Sequence, residues 1–271
     1  MSRQVSIIIV NYNTGSLLYN CLESIRTHVS SDYEVIVVDN ASTDGSMDRC
    51  ASFADDSRFV FLPQSENYGF AKANNIGAAH STGRMLHFLN PDTEVSAGMD
   101  DDYRQALAFP EKVYVNPLQN PDGSVENRPM PLPLIRDMFF WYARRSRARV
   151  WYRGASVIIS RDNFLHAGRW SEDYFMYAED LDFFYSLWLS NIEVCLTGSV
   201  IFHLGGGSSS RRWTSLEREV VVQRSTRKFY RKYFSNFQYV TIKIYFIFHY
   251  LLKNPRRVPQ DIRAWMLSSK R

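Results

Sequence analysis

The sequence predicts an α/β fold, with a mostly parallel central sheet flanked by helices and a helical extension at its C-terminal end. Three observations carry that prediction. Two continuous apolar runs rich in β-branched residues, VSIIIV at 5–10 and EVIVVD at 34–39, have the pattern of strands buried on both faces. Segments with apolar residues at helical spacing alternate with such runs. Polar clusters follow the strands, where parallel sheets gather their ligands.

Taken in order, 5–10 is the first strand, and a turn at Asn13-Thr14-Gly15 leads into a helix over 17–28, with Leu18, Cys21, Leu22 and Ile25 on one face. Residues 34–39 form the second strand, followed by a loop from Asn40 to Gly45 and a further helix. A third strand is expected at 59–62, a helix at 70–80 and a fourth strand at 85–89. From Pro110 the pattern changes. The proline-rich stretch 117–133 contains a Pro121-Asp122-Gly123 turn and reads as a hairpin or loop. Strands are expected at 157–160 and 200–203, a helix from Glu179, a glycine-serine loop at 205–210, and helices over 215–234 and 237–252. The division this suggests is 1–210 as the main domain, with a nucleotide-binding half at 1–110 and an acceptor half at 111–210, and 211–271 as a basic helical tail.

Composition narrows the classes. With 45% hydrophobic and 22% charged residues, the 271-residue chain is neither disordered nor collagen-like. Three cysteines are too few for a disulfide framework and are expected to be free thiols. No apolar leader follows Met1, and the sixteen-residue stretch 237–252, broken by Lys243 and His249, is short for a spanning helix of about 20 residues. A cytoplasmic protein is expected. Charge is unevenly placed: residues 211–271 balance to +12 and residues 1–210 to −8. A basic tail can serve nucleic acid, but no recognition motif accompanies it.

Carboxylates at strand ends are the chemical signal. Asp39 ends a buried strand, where its charge needs a donor such as a nucleobase imide N–H, or it caps the following turn. Asn90-Pro91-Asp92-Thr93 can hold a hard divalent cation, and it equally suits a type I turn. Glu179, Asp180 and Asp182 open a helix, where acids favour the dipole and one could act as a general base. His203 is a possible metal ligand or a structural histidine.

Six stretches in order resemble one family: VSIIIVNYNTGSLLYNCLESI (5–25), EVIVVDNASTDGS (34–46), ENYGFAKANNIGAAHSTG (66–83), FLNPDT (88–93), GASVIISRDNFLHAGRWSEDYFMYAEDLDFFYSL (154–187) and FHLGGGSS (202–209). Together they resemble the family 2 glycosyltransferases of GT-A fold, in their bacterial rhamnosyltransferase-like branch. The resemblance implies that Asn11 and Asp39 face the donor nucleoside, with Asp39 on the base, and that Asn67, Lys72 and Asn75 line the nucleotide-sugar pocket. It puts Asn90 and Asp92 in the metal-binding DXD position, with His203, for Mg²⁺ or Mn²⁺; Asn90 there removes one negative charge. Asp180, beside Glu179, becomes the general base, and Gly154 and Ala155 the tight backbone beside the sugar. Trp151, Trp170 and Tyr174 are candidates for stacking on sugars or for core packing. The implied reaction is inverting transfer from a nucleoside-diphosphate sugar, dTDP-L-rhamnose first and UDP-hexoses next. The acceptor would be a glycan or lipid-linked saccharide of a bacterial cell-surface polysaccharide such as O-antigen.

Competing readings are a sugar nucleotidyltransferase, for which VNYNTGS is a poor phosphate loop, and a non-catalytic scaffold in polysaccharide assembly. The tail then becomes a peripheral contact with the anionic inner face of the cytoplasmic membrane. There, 237–252 would be flanked by Arg227, Lys228, Arg231, Lys232, Lys253, Arg256 and Arg257, with 139–149 as a second contact; packing of the tail on the body is the alternative.

Overall fold

The computed structural model describes residues 3–126, 129–142, 149–205, 213–253, 256 and 258–269. Strand β1 (Val5–Asn11) leads to helix α1 (Leu17–His28), strand β2 (Tyr33–Asp39), the short helix α2 (Ser46–Arg49), strand β3 (Phe59–Pro63), helix α3 (Phe70–His80) and strand β4 (Met85–Leu89). Next come β5 (Thr93–Glu94), α4 (Met99–Ala108), β6 (Val113–Val115), β7 (Leu118–Gln119), β8 (Val125–Glu126), β9 (Met130–Pro131) and α5 (Ile135–Tyr142). The second half continues through β10 (Val150–Trp151), β11 (Ser156–Ser160), α6 (Arg161–His166), α7 (Glu179–Leu189), β12 (Val194–Leu196) and β13 (Ile201–His203). Three helices finish the chain, α8 (Ser215–Tyr233), α9 (Asn236–Lys253) and α10 (Val258–Ser269).

Seven strands form one sheet in the order β12-β6-β11-β4-β1-β2-β3. Only β11 runs against its neighbours, so the sheet is mostly parallel, as the sequence predicts. Every residue of β1 and β2 is buried. Their alternation divides the core: Ile7, Ile9, Val35 and Val37 pack with α1 and α4, whereas Ile8, Val10, Ile36 and Val38 pack with α3 and α7. The expected hairpin is present as β7–β8 across the Pro121-Asp122-Gly123 turn.

A buried polar chain ties the antiparallel strand into the sheet. His87 on β4 meets Tyr103 and Ser156, each at 2.8 Å; Ser156 donates to Asn116 at 2.7 Å, and Asn116 donates to Asp102 and Thr197. Burial pushes the His87 imidazole down to about 3, which keeps it neutral.

The C-terminal helices pack on the body. Phe229, Tyr230, Tyr239 and Ile242 join Leu132, Tyr174, Leu181 and Tyr185 in a third apolar cluster. Two tail cations turn inward: Lys228 Nζ donates to the Asp173 carbonyl at 2.7 Å, and Lys232 pairs with Asp182 at 3.1 Å. Arg149 forms a fork with the fully buried Asp137 carboxylate. The glycine-serine residues 206–210 and Arg257 lie outside the described residues, as do the side chains at 139–142 and the whole of 143–148. Cys21, Cys50 and Cys195 are free thiols.

Candidate active site

The carboxyl ends of β1, β2 and β4 converge because parallel strands end together. Register pairs Asn11 with Asp39. Asn11 Nδ2 donates to Asp39 Oδ1 at 2.7 Å and to Ser46 Oγ at 2.9 Å, while Ser42 N–H donates to Asp39 Oδ2 at 3.1 Å. Asp39 Oδ2 therefore holds the following loop, whose Ala41 adopts a left-handed backbone, while Oδ1 is taken by Asn11 of β1. This is the turn-capping role that the sequence leaves open beside base recognition.

After β4, Asn90 N–H donates to the Ala155 carbonyl at 2.9 Å, and Thr93 Oγ1 donates to the Asn90 carbonyl at 2.6 Å. Antiparallel pairing of β5 with β13 sets Thr93 opposite His203 and brings His203 Nε2 within 3.6 Å of Asp92 Oδ1. Both side chains are buried, and His203 Nδ1 has no hydrogen-bond partner. No cluster of three or more His, Cys, Asp or Glu forms among the described residues. One carboxylate and one imidazole could hold a divalent ion, Asp92 as a hard oxygen ligand and His203 through nitrogen, with the substrate supplying further ligands. The unpartnered nitrogen is Nδ1, whereas Nε2 is the one that faces Asp92.

Helix α7 begins at the third feature. Tyr177 and Ala178 both have φ of 65°, an uncommon conformation for consecutive non-glycine residues, and it turns the chain into Glu179 and Asp180. Asp180 Oδ1 accepts from Leu181 N–H at 2.8 Å. A Cβ at Gly154 would stand 3.3 Å from the Trp170 ring and 3.4 Å from Asp180 Cβ, so the backbone here runs close to both. Burial raises the Asp180 carboxyl above the usual range, while the N–H groups of Leu181 and Gly154 and the Arg153 charge pull it back. Burial raises Glu179 further, joined by the Asp180 charge, and Glu179 Oε2 has no hydrogen-bond partner. The charge of the neighbouring acid is thus felt in Glu179, not in Asp180.

One cavity of about 670 Å³ brings much of this together. Of the expected residues, Asn67, Asn90, Asp92, Trp151, Gly154, Ala155, Glu179, Asp180 and His203 line it. Asn11, Asp39, Lys72 and Asn75 stand outside its lining. Lys72 Nζ is exposed over the Tyr68 ring, 3.9 Å from its centroid. Asn75 joins α3 to the segment before α7, donating to the Trp170 carbonyl and to Glu172, each at 2.9 Å, and accepting from Trp170 N–H. Trp170 and Tyr174 are core residues: Trp170 stacks on Phe183 with centroids 4.2 Å apart, and Tyr174 Oη donates to Asp182 at 2.8 Å. On this geometry Asn75→Ala is expected to cost about 1.5–4.5 kcal/mol, from three hydrogen bonds at a net ~0.5–1.5 each. Thermal melting checks the loss, and UDP and dTDP affinities should not move; weakened nucleotide binding at an unchanged melting temperature would return Asn75 to the donor pocket.

Tyr12 and Asn40, from the polar clusters that follow β1 and β2, also line the cavity, whereas Arg153 and Phe175 and, from the tail, Gln223 and Lys243 carry no sequence signal of their own. Arg153 adjoins Gly154 and could have been found by proximity. The tail residues could not, because they arrive from far along the chain.

Comparison with known proteins agrees with this architecture. The glycosyltransferase GlyG of Streptococcus pneumoniae is 32% identical over 129 residues, 47% of this chain and 43% of that protein. The low-salt glycan biosynthesis hexosyltransferase Agl10 of Haloferax volcanii is 26% identical over 213 residues, 72% of this chain and 64% of that one. The chain thus spans under half the length of GlyG and under two thirds of Agl10. Among solved structures, Staphylococcus aureus TarS 1-349 in complex with UDP-GlcNAc matches with a TM-score of 0.61 at 16% identity, over 96% of this chain and 79% of that one. GalNAc-T7 with UDP, GalNAc and Mn²⁺ matches with a TM-score of 0.62 at 16% identity, over 83% and 48%. These two likenesses show a shared GT-A fold. Residues 6–165, more than half of the chain, match the family model of glycosyl transferase family 2, and the protein belongs to that family.

Proposed function

We propose that the protein is an inverting glycosyltransferase that moves a sugar from a nucleoside-diphosphate sugar to a hydroxyl of a glycan or lipid-linked acceptor, in bacterial cell-surface polysaccharide synthesis. The observation that carries this reading is one cavity onto which both Asp180 and the Asp92–His203 pair open, at the carboxyl ends of a parallel sheet. Asp92 and His203 would hold Mg²⁺ or Mn²⁺, which when bound neutralises charge on the departing diphosphate. Asp180 takes the proton from the acceptor hydroxyl as that oxygen attacks the anomeric carbon. Gly154 keeps the backbone beside the acid low enough for a sugar to approach. Glu179, higher in pKa, holds a proton near neutrality and so spares Asp180 a second adjacent charge.

A panel of nucleotide sugars tests the reading, scored for slow hydrolysis with Mn²⁺ and with EDTA. Release of a nucleoside diphosphate from one sugar, dTDP-L-rhamnose first and UDP-hexoses next, and its loss with EDTA, are expected. The complexes of TarS and GalNAc-T7 carry UDP, which keeps UDP sugars prominent in the panel. Pyrophosphate release would instead mark a sugar nucleotidyltransferase, and inactivity with every donor would favour a scaffold.

Peripheral binding to the inner face of the cytoplasmic membrane belongs to the same proposal, supported by one face of α9. Phe237, Val240, Ile244, Phe248, Leu251 and Leu252 are exposed along it at helical spacing. No helix among the described residues is long and apolar enough to cross a membrane. Because α8 and α9 contribute buried core, truncating them would damage the fold, so surface substitutions are the proper test. Combined Phe237→Ser, Ile244→Ser and Phe248→Ser is expected to weaken binding to phosphatidylglycerol vesicles about tenfold or more, at an unchanged melting temperature. Cosedimentation equal to wild type would sink the membrane reading.

A further inference from the structure

The cavity that receives Asp180 continues beyond the second half of the sheet and between the three C-terminal helices. There α8 supplies Glu219 and Gln223, α9 supplies Lys243 and Tyr250, and α10 supplies Asp261 and Trp265. Gln223 is only 4% exposed; its Nε2 donates to Glu219 Oε1 at 2.9 Å, while its Oε1 has no hydrogen-bond partner. A buried amide oxygen left open in a cavity costs free energy unless a ligand or water donates to it. The Lys243 ammonium is held by the charges of Glu219 and Asp261, against a burial that lowers it to about 8.

The charge balance decides what such a lobe can take. Two carboxylates oppose one ammonium, so a diphosphate or another anion would meet net repulsion. An apolar chain would leave the buried Gln223 Oε1 without a donor. A hydroxyl-rich ligand can donate to Gln223 Oε1 and the carboxylates, accept from Lys243, and lay its C–H faces on Trp265 and Tyr250.

We propose that this lobe binds an uncharged sugar unit of the acceptor, away from the hydroxyl that reacts at Asp180. The inference rests on the glycosyltransferase reading and deepens it: acceptor choice would lie in the C-terminal helices as well as in the expected acceptor half, 111–210.

Saturation-transfer NMR on the full chain tests it, using methyl glycosides of L-rhamnose, D-glucose, D-galactose and N-acetylglucosamine as probes. At least one glycoside should bind. Gln223→Leu, close in shape but without the amide, should reduce that signal at least fivefold, and Lys243→Met should reduce it too, with melting curves reporting that both variants fold. The proposal is overturned if no glycoside binds the wild-type chain, if Gln223→Leu binds as well as wild type, or if inorganic pyrophosphate binds in a Lys243-dependent manner without metal. Failure of the transferase reading would show separately, as inactivity across the whole nucleotide-sugar panel.

Discussion

Replacing Asp180 with Asn should lower the transfer rate by about 10³-fold or more, the scale expected for loss of a positioned base, while leaving nucleotide affinity within about twofold in the same comparison. The substitution is close to isosteric. Asn still presents an oxygen to Leu181 N–H, so the start of α7 keeps its geometry and only proton acceptance is lost. The wild-type pH profile gives a second readout. A base whose carboxyl is raised by burial must lose its proton to work, so activity should fall on acidification at a pH above the ordinary carboxylate range. Stability should move the opposite way. A raised carboxyl is most stabilising to the fold when protonated, and that contribution is lost as pH rises through the raised value. The Asn variant should therefore melt higher than wild type above neutrality, and no differently at about pH 4. Transfer at the wild-type rate would remove Asp180 from the mechanism.

Gly69→Ala should be the most damaging single methyl in the fold. Gly69 sits at φ +82° before α3, and a Cβ built there falls 2.2 Å from the Phe175 carbonyl oxygen. That oxygen is fixed, since it accepts from Phe70 N–H at 3.2 Å. Gly69 itself is held by Asn67 Oδ1 on its N–H and by Asn40 Nδ2 on its carbonyl. Neither backbone can give way without opening the cavity wall. The cost should reach about 3–5 kcal/mol, near the top of the range for point substitutions. At this chain length that lowers the melting temperature by roughly 10 °C. Gly168→Ala is the control. Gly168 also has positive φ, +91°, but an added Cβ meets nothing within 4 Å, so only the dihedral cost of about 1 kcal/mol applies. Equal losses in the two variants would show that the Phe175 contact does not matter.

What the sequence discloses follows from where its signals are local. Residues 17–28, 70–80 and 85–89 form the expected elements residue for residue, because buried strands and one-sided helices write their burial into consecutive positions. The helix Met99–Ala108, absent from the expected elements, has local signals too: Gly98, three acids in its first turn, and Met99, Tyr103 and Ala106 on one face. Strand Val113–Val115 has three residues, too few for any period. At the site, Asp92, Asp180 and His203 were legible as polar residues at the ends of elements. Asn75, Trp170 and Tyr174 are not resolvable, since a half-buried latch or core aromatic has the same letters as a sugar-binding residue. The lobe formed by Gln223, Lys243 and Trp265 is a long-range product of three helices, and Lys243 looked like an interruption of an apolar stretch.

Helix α9 has consequences for how enzymes of this shape can change. Its inner face, with Tyr239, Ile242, Lys243 and Phe246, serves core and cavity, while its outer face holds the exposed apolar residues. A single-residue insertion or deletion turns everything beyond it by about 100°. The cavity-facing residues of α9 and its exposed apolar stripe would then both be carried off their faces in one step. Acceptor preference and surface attachment would therefore not drift independently by length changes. Chimeras intended to alter either one should exchange residues 213–269 as a block, with the junction placed before Thr214, whose side chain and Glu217 cap α8.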